Sequence, residues 1–395
     1  MGKGLSSEAL FLLQTIRPDN SPKTDSLHLD WERVSALAKV NSVVPVLYSE
    51  LQAKNYPVPE HFFETIRVEA MKIAGRNAVL KRELTSVVAL LQNNGFEVMP
   101  YKGPFLAEML YGNVGLRCFD DVDILIQQKE FPEIKRLLLA NGYRPKPEFA
   151  SIPPSQETSF FQTQYTYDFI HTASGTPLEV HWKILPKSFG LKLDMDAIWK
   201  RCTVTTYSGL TVKVFTPEDM LLNLSIMGAK KSWDRLSRVL DVWKLLRKSQ
   251  QLSWNGLIHE ARSVGAVRIL SVALALSVNL FDAELPKSIS EQINEDKQVH
   301  ELANEIALAM FTDENVKNGF FRSEDQFRIM HLRMRERFSD RLLYCFRFLL
   351  TPGIGEWQII TLPRFARCFY YFLRPCRLAF KALRRIFLAE TSGNK

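Results

Sequence analysis

The chain has 395 residues, 46% of them apolar and 24% charged, with a mean hydropathy of −0.10. This globular composition excludes a disordered chain, a collagen-like repeat and a bundle of membrane spans. The net charge of +8 is unevenly placed: residues 331–395 hold thirteen Lys/Arg against four Asp/Glu, and the first 330 residues sum to −1. A neutral body offers no basic track for a nucleic-acid backbone, so nucleic acid is not an expected partner. The five cysteines include no CxxC pair, which suits a reducing cytoplasm better than a disulfide framework or a zinc site. Met1 to Leu5 lead directly into an amphipathic pattern without an apolar h-region, so no secretion signal is expected.

Residues 1–94 read as a helical region, with apolar residues at helical spacing in Ala9–Leu13, Val34–Leu51 and Ile66–Leu91. Pro18-Asp19-Asn20 and Pro57-Val58-Pro59 interrupt it, and Asn93-Asn94-Gly95 ends it. Residues 95–215 read as a small mixed α/β domain. Phe96–Tyr101 predicts a strand, Pro104–Tyr111 a helix, Asp121–Ile126 a second strand and Phe131–Ala140 a second helix. Gln162–His171 and Pro177–Ile184 flank Ala173-Ser174-Gly175-Thr176 as a β-hairpin. Residues 216–330 return to helix, opening on Thr216-Pro217-Glu218-Asp219, a capping residue followed by proline at the first helical position. Residues 331–395 form a basic, aromatic-rich helical tail. The expected fold class is therefore α+β, a small mixed sheet between helical flanks.

Chemistry concentrates in the α/β region. On a strand, residues two apart share a face, so Asp121 and Asp123 are expected to point one way while Val122 and Ile124 enter the core. Paired carboxylates repel unless a cation lies between them, and Mg²⁺ takes one or two carboxylates together with water and phosphate oxygens. Lys102-Gly103 closes a strand just before a helix, where backbone N–H groups and an ammonium can converge on a phosphate. Glu179, His181 and Lys183 share one face of the hairpin strand, with Val180, Trp182 and Ile184 on the other. If that strand lies beside the Asp121 strand, Glu179 adds a third carboxylate to a two-metal cradle. Taken alone, His181 reads more simply as a hydrogen-bonded structural histidine. Trp182 and Trp233 read most simply as packing residues, although either can stack on a base.

The run Lys102-Gly103, Leu110-Tyr111-Gly112, Gly115-Leu116-Arg117, Asp121–Ile126, Asn141-Gly142-Tyr143 and Glu179-Val180-His181-Trp182 resembles the uncharacterised nucleotidyltransferase family of bacteria. That family lies within the polymerase-beta-like nucleotidyltransferase superfamily. The resemblance continues through Pro217-Glu218-Asp219, Trp233–Leu236, Leu240-Asp241-Val242, Trp254 and Leu373–Leu378. It implies a metal pair at Asp121 and Asp123, with Glu179 at the third acidic position. It also sets Lys102-Gly103-Pro104 where the superfamily carries its Gly-Ser phosphate turn. Here Pro104 removes one donor, and the stretch from Gly103 to Asp121 is longer than usual. A histidine that relatives often carry near Met227–Lys231 is missing.

The leading expectation is an enzyme moving a nucleoside monophosphate from an NTP to a hydroxyl or phosphate acceptor with Mg²⁺ (or Mn²⁺). Asp121, Asp123 and Glu179 would be catalytic and metal-binding, with Lys102, Gly103, Arg117, His181, Lys183 and Lys230 on substrate or phosphate. The acceptor, small molecule, saccharide or peptide, is not written in the sequence. A glycosyltransferase ranks lower, because a Rossmann-like run normally precedes its DxD and here some ninety helical residues do. An inactive nucleotidyltransferase-fold binding or assembly module is the non-enzyme alternative. Within Arg364–Leu388, seven basic residues alternate with aromatics and leucines. That pattern reads either as a terminal helix pair with arginines outward or as an interfacial segment on anionic lipid, with Pro375 expected to break or kink it. The expected address is the cytoplasm, peripheral to the inner face of the cell membrane in the second case.

Overall fold

The computed structural model of the chain describes residues 4–17, 28–150, 161, 163–249, 251–312, 324–352, 356 and 369–380. Four helices lead: α1 (Ser7–Ile16), α2 (Trp31–Val40), α3 (Val44–Lys54) and α4 (Glu60–Asn93). The Ser6 and Asp30 side chains cap α1 and α2 by accepting from Ala9 and Arg33 N–H groups. At 34 residues, α4 runs for about 50 Å.

The α/β elements follow as β1 (Val98–Pro100), α5 (Gly103–Tyr111), β2 (Val122–Ile126), α6 (Phe131–Ala140), β3 (Tyr143–Pro145), α7 (Pro147–Ala150), β4 (Thr166–His171) and β5 (Pro177–His181). They build a five-stranded sheet in the order β1-β2-β5-β4-β3. The expected hairpin is β4–β5, antiparallel, with Asp168 opposite Glu179 and Thr166 opposite His181. Next come α8 (Met195–Arg201), β6 (Thr203–Tyr207) and β7 (Leu210–Val214), the two strands forming a separate antiparallel ribbon. The remaining helices are α9 (Pro217–Lys230), α10 (Leu236–Lys248), α11 (Trp254–Val264), α12 (Val267–Phe281), α13 (Lys287–Glu295), α14 (Lys297–Ala309), α15 (Glu324–Arg333), α16 (Phe338–Leu350) and α17, over 370–380. The fold is α+β, a small mixed sheet between helical flanks.

The chain forms two compact units, Met1–Asp123 with Asp194–Glu336, and Ile124–Leu193 with Arg337–Lys395. The division falls inside β2, between its second and third residues. In the first unit α12 is the central helix, buried along most of its length and packed on α9, α10 and α14. Thr216 caps α9 as its sequence predicts, accepting from Asp219 N–H. In the second unit Phe131, Phe161, Tyr167 and Trp182 form an aromatic core with ring centroids 4.8–5.3 Å apart. There α16 packs on the turn Lys187–Phe189. Gly190 lies at φ +90°, and a Cβ on it would stand 3.3 Å from the Tyr344 Cα.

Three expectations change. Strand β2 begins at Val122, so Asp121 precedes it, and all five strand residues are buried instead of alternating. The strand lies between β1 and β5, and both its faces are covered. Strand β5 ends at His181, so Lys183 lies beyond it. Pro375 sits inside α17, which runs through it. The proline forgoes one bond, to the Tyr371 carbonyl, while Arg374 and Arg377 hold the helix to the fully buried Glu356 at 3.1 and 2.8 Å. Calls on 364–368 and 381–388 lie outside the described residues.

Candidate functional site

Asp123 is the second residue of β2 and only 3% exposed. A carboxylate that deep needs a cation or hydrogen-bond donors. The Lys102 ammonium supplies one, 2.9 Å from Asp123 Oδ1. Burial works against the charged lysine, but Asp123 and then Tyr101 outweigh it and hold Lys102 well above the ordinary lysine range. The ammonium also stands 4.7 Å from the centre of the Tyr101 ring.

Backbone packing explains the residue that follows. Gly103 opens α5 at φ +51°, and a Cβ there would lie 2.9 Å from the Asp121 carbonyl oxygen. Lys102-Gly103 is therefore pressed against the backbone that carries the aspartates, and only glycine admits both the approach and the conformation. Pro104 follows in the first turn of α5.

Strand β5, the neighbour of β2 in the sheet, brings the third acid and the histidine. Glu179 is half-buried and His181 is 1% exposed, with 3.3 Å between Glu179 Oε2 and His181 Nε2. Asp123, Glu179 and His181 each offer a donor atom, and these atoms all lie within 4.8 Å of one another. Two carboxylate oxygens and an imidazole nitrogen fit a divalent cation. The oxygens suit Mg²⁺, and the nitrogen widens the choice to Mn²⁺ and other first-row ions. Behind Glu179, Asp168 is pushed above the usual carboxylate range by burial and by the Glu179 charge, and Lys146 holds it at 3.0 Å.

The remaining residues singled out in the sequence are placed differently. Asp121 is half-buried just before β2 and is not part of the three-donor cluster. Arg117 binds Asp241 of α10 in bidentate fashion at 3.0–3.1 Å, and Tyr111 donates to the same carboxylate at 2.8 Å. Burial opposes the Arg117 charge, but Asp241 overrides it and keeps the pKa raised. Lys183 is half-buried beyond β5, its pKa lowered by burial and by Lys187. Lys230 ends α9, where its carbonyl faces His331 Nε2 at 3.1 Å. Trp182 is 2% exposed in the aromatic core and donates to the Gln164 carbonyl at 3.1 Å. Trp233 is fully buried and packs its ring flat on Gly228.

Sequence reasoning assigned no role to Tyr111 and Asp241. The loop between α5 and β2 is held by them and by α4. Asn77 donates to the Val114 and Arg117 carbonyls at 2.8 and 2.7 Å, Arg76 pairs with Asp120, and Gly115 packs on Ala74. The signals were one buried-face Asn in α4 and one Asp inside the apolar run of α10. Neither names its partner.

Two carboxylates and a histidine gathered on adjacent strands of a small mixed sheet are an arrangement that a nucleotidyltransferase can use. Comparison of the whole chain agrees: residues 28–282 match the family described as uncharacterised nucleotidyltransferase, and the chain belongs to that family. No curated protein matches it. Among solved structures, an antigenic nucleotidyltransferase-like protein from Paracoccidioides brasiliensis is similar, at 16% identity and a TM-score of 0.32. That likeness covers 54% of this chain and 94% of the other, and is too slight to bear on the chemistry.

Proposed function

We propose that the protein transfers a nucleoside monophosphate from an NTP to a hydroxyl or phosphate acceptor. The observation that carries the reading is the convergence of Asp123, Glu179 and His181 within 4.8 Å, in a chain of nucleotidyltransferase family. These three would hold the divalent ion, Mn²⁺ or Mg²⁺. When bound, the ion neutralises triphosphate oxygens and stabilises the charge of an in-line transition state.

The chain's own groups do the rest. Asp123, fixed on a central buried strand, sets the position of the cluster. Lys102 leaves Asp123 and turns its ammonium to a phosphate oxygen, beside the N–H groups that open α5. Glu179, half-buried on β5, accepts the proton of the acceptor hydroxyl. Asp121, immediately before β2, would offer a further carboxylate next to Asp123. Arg117 acts as a positioning residue: its pair with Asp241 fixes the loop that leads into β2.

Release of labelled pyrophosphate from each of the four NTPs, with and without Mn²⁺, tests the reading. Turnover that needs Mn²⁺ and is lost in Asp123→Asn and Glu179→Gln supports it. Tight Mn²⁺ and NTP binding without turnover, in every acceptor fraction tried, would favour the inactive binding module. That second reading has one observation behind it, the Lys102 ammonium seated on Asp123.

A further inference from the structure

Among the described residues, the last two helices of the second unit are turned the wrong way for water. On α16, Phe338, Leu342, Phe346 and Leu349 are 72%, 54%, 63% and 46% exposed. At about 100° per residue these four positions fall within an arc of roughly 80°, so they form one stripe along the whole helix. The opposite side holds Tyr344, buried, and Arg347, which reaches the Gly190 carbonyl.

Helix α17 repeats the inversion. Phe369, at its start, Phe372 and Phe380 are 58%, 66% and 70% exposed, while Tyr370 is fully buried. Arg374 and Arg377 turn inward to the buried Glu356, and Arg374 also covers the Phe348 ring of α16 at 5.5 Å. The arrangement expected of a terminal helix in water is arginines outward and phenylalanines inward. Here charged groups are satisfied inside and rings are left outside. All five exposed phenylalanines among the described residues lie on these two helices or, for Phe369, directly before the second.

The geometry points to a docking surface for an anionic lipid bilayer, with the α16 stripe and the phenylalanines of α17 entering the headgroup–acyl boundary. Three observations select lipid over a protein partner. Five exposed phenylalanines on two short helices suit the depth of an interface, and no helix of the described residues is long and apolar enough to cross a membrane. Residues 331–395 carry a balance of +9 on a body of −1, and the excess that remains once Arg374 and Arg377 are taken up by Glu356 complements anionic headgroups. Arg337, the exposed residue that precedes Phe338 at the N-terminal end of the stripe, adds a long cationic side chain of the kind that keeps its charge at headgroup level while apolar neighbours sink. This surface is independent of the nucleotide site: its residues lie outside the matched span 28–282, and it stands or falls without any turnover.

The test is sedimentation of the full-length protein with phosphatidylglycerol–phosphatidylcholine vesicles and with phosphatidylcholine alone, alongside analytical ultracentrifugation without lipid. The expected result is a monomer that pellets with anionic vesicles and much less with neutral ones. Leu342→Glu with Phe346→Glu should weaken that binding at least about tenfold, since apolar burial is lost and two negative charges are set against the headgroups. These positions are exposed, so the melting temperature of the double variant should stay at the wild-type value, and a matched melt shows that folding is intact. Failure to pellet with anionic vesicles overturns the proposal. So does undiminished binding by the double variant, which would assign lipid contact to other basic residues. A wild-type dimer that the same substitutions dissociate would show that a second copy covers the stripe.

Discussion

Replacing Lys102 with Met separates the two cations that compete for Asp123. The methionine keeps the length and apolar bulk of the lysine stem but leaves a carboxylate only 3% exposed without its ammonium. Removing one partner of a buried ion pair costs about 3–5 kcal/mol. For a cooperative unit of about 150–250 residues that corresponds to a fall of roughly 6–20 °C in melting temperature, at about 2–4 °C per kcal/mol. A divalent cation then becomes the natural replacement. Free Mn²⁺ at about 100 times its Kd returns about 2.7 kcal/mol, most of the loss. The wild type, whose Asp123 already has Lys102, should gain less from Mn²⁺ alone and more from Mn²⁺ with NTP, when the displaced ammonium finds a phosphate. Differential scanning fluorimetry in chelator, in Mn²⁺ and in Mn²⁺ with a non-hydrolysable NTP reads all three states, and Mn²⁺ titration by electron paramagnetic resonance gives the affinities. If Lys102→Met melts with the wild type in chelator, or Mn²⁺ stabilises neither protein, the reasoning is refuted.

Acid stability should report His331, whose pKa is lowered to about 4 by burial and by the nearby Arg335 charge. Its neutral form is the folded one, so its contribution is complete above the unfolded value near 6.5 and is lost as pH falls toward about 4. The loss is at most on the order of 3 kcal/mol. Urea midpoints of wild type and His331→Gln at neutral pH and near pH 4.5 should converge at the lower pH. Asp241→Asn leaves the Arg117 guanidinium without its carboxylate and should cost about 3 kcal/mol in urea unfolding. Gly103→Ala drives a Cβ against the Asp121 carbonyl at an unfavourable positive φ, for about 1–3 kcal/mol, and should weaken Mn²⁺ binding although no ligand has changed.

Local pattern was a good guide wherever neighbours in sequence decide the structure. The Phe131–Ala140 helix has the limits its periodicity predicts, and the β4–β5 hairpin sits around Ser174-Gly175 as expected. The β6–β7 ribbon was missed although its signal was present. Ser208 and Gly209 both take positive φ between alternating strands, which is the geometry of a two-residue hairpin turn. The acids Asp123 and Glu179 could be named from their strands, but the commitments of the cations could not. Arg117 meets an aspartate 124 residues away, and nothing local distinguishes that pair from a phosphate contact. Lys102 reaches Asp123 across 21 residues for the same reason. The orientation of the tail stayed open between arginines outward and an interfacial segment, because its aromatic and basic residues alternate closely. Over 369–380, Arg374 and Arg377 face Glu356, a buried acid that local pattern does not single out.

The loop before β2 has only one short turn of its own, Val114–Leu116, and takes its shape from outside itself. Asn77 and Arg76 on α4 hold it from one side of the sequence, and Asp241 on α10 holds it from the other. An excised fragment running from Phe96 to Phe215 would keep every strand of the sheet and lose both anchors. Such a piece is not a transferable module: grafted into another protein, it would carry the aspartates without the means of aiming them. What can be inherited or exchanged as a working unit is the longer stretch from α4 through α10. The family's matched span, 28–282, encloses that whole stretch.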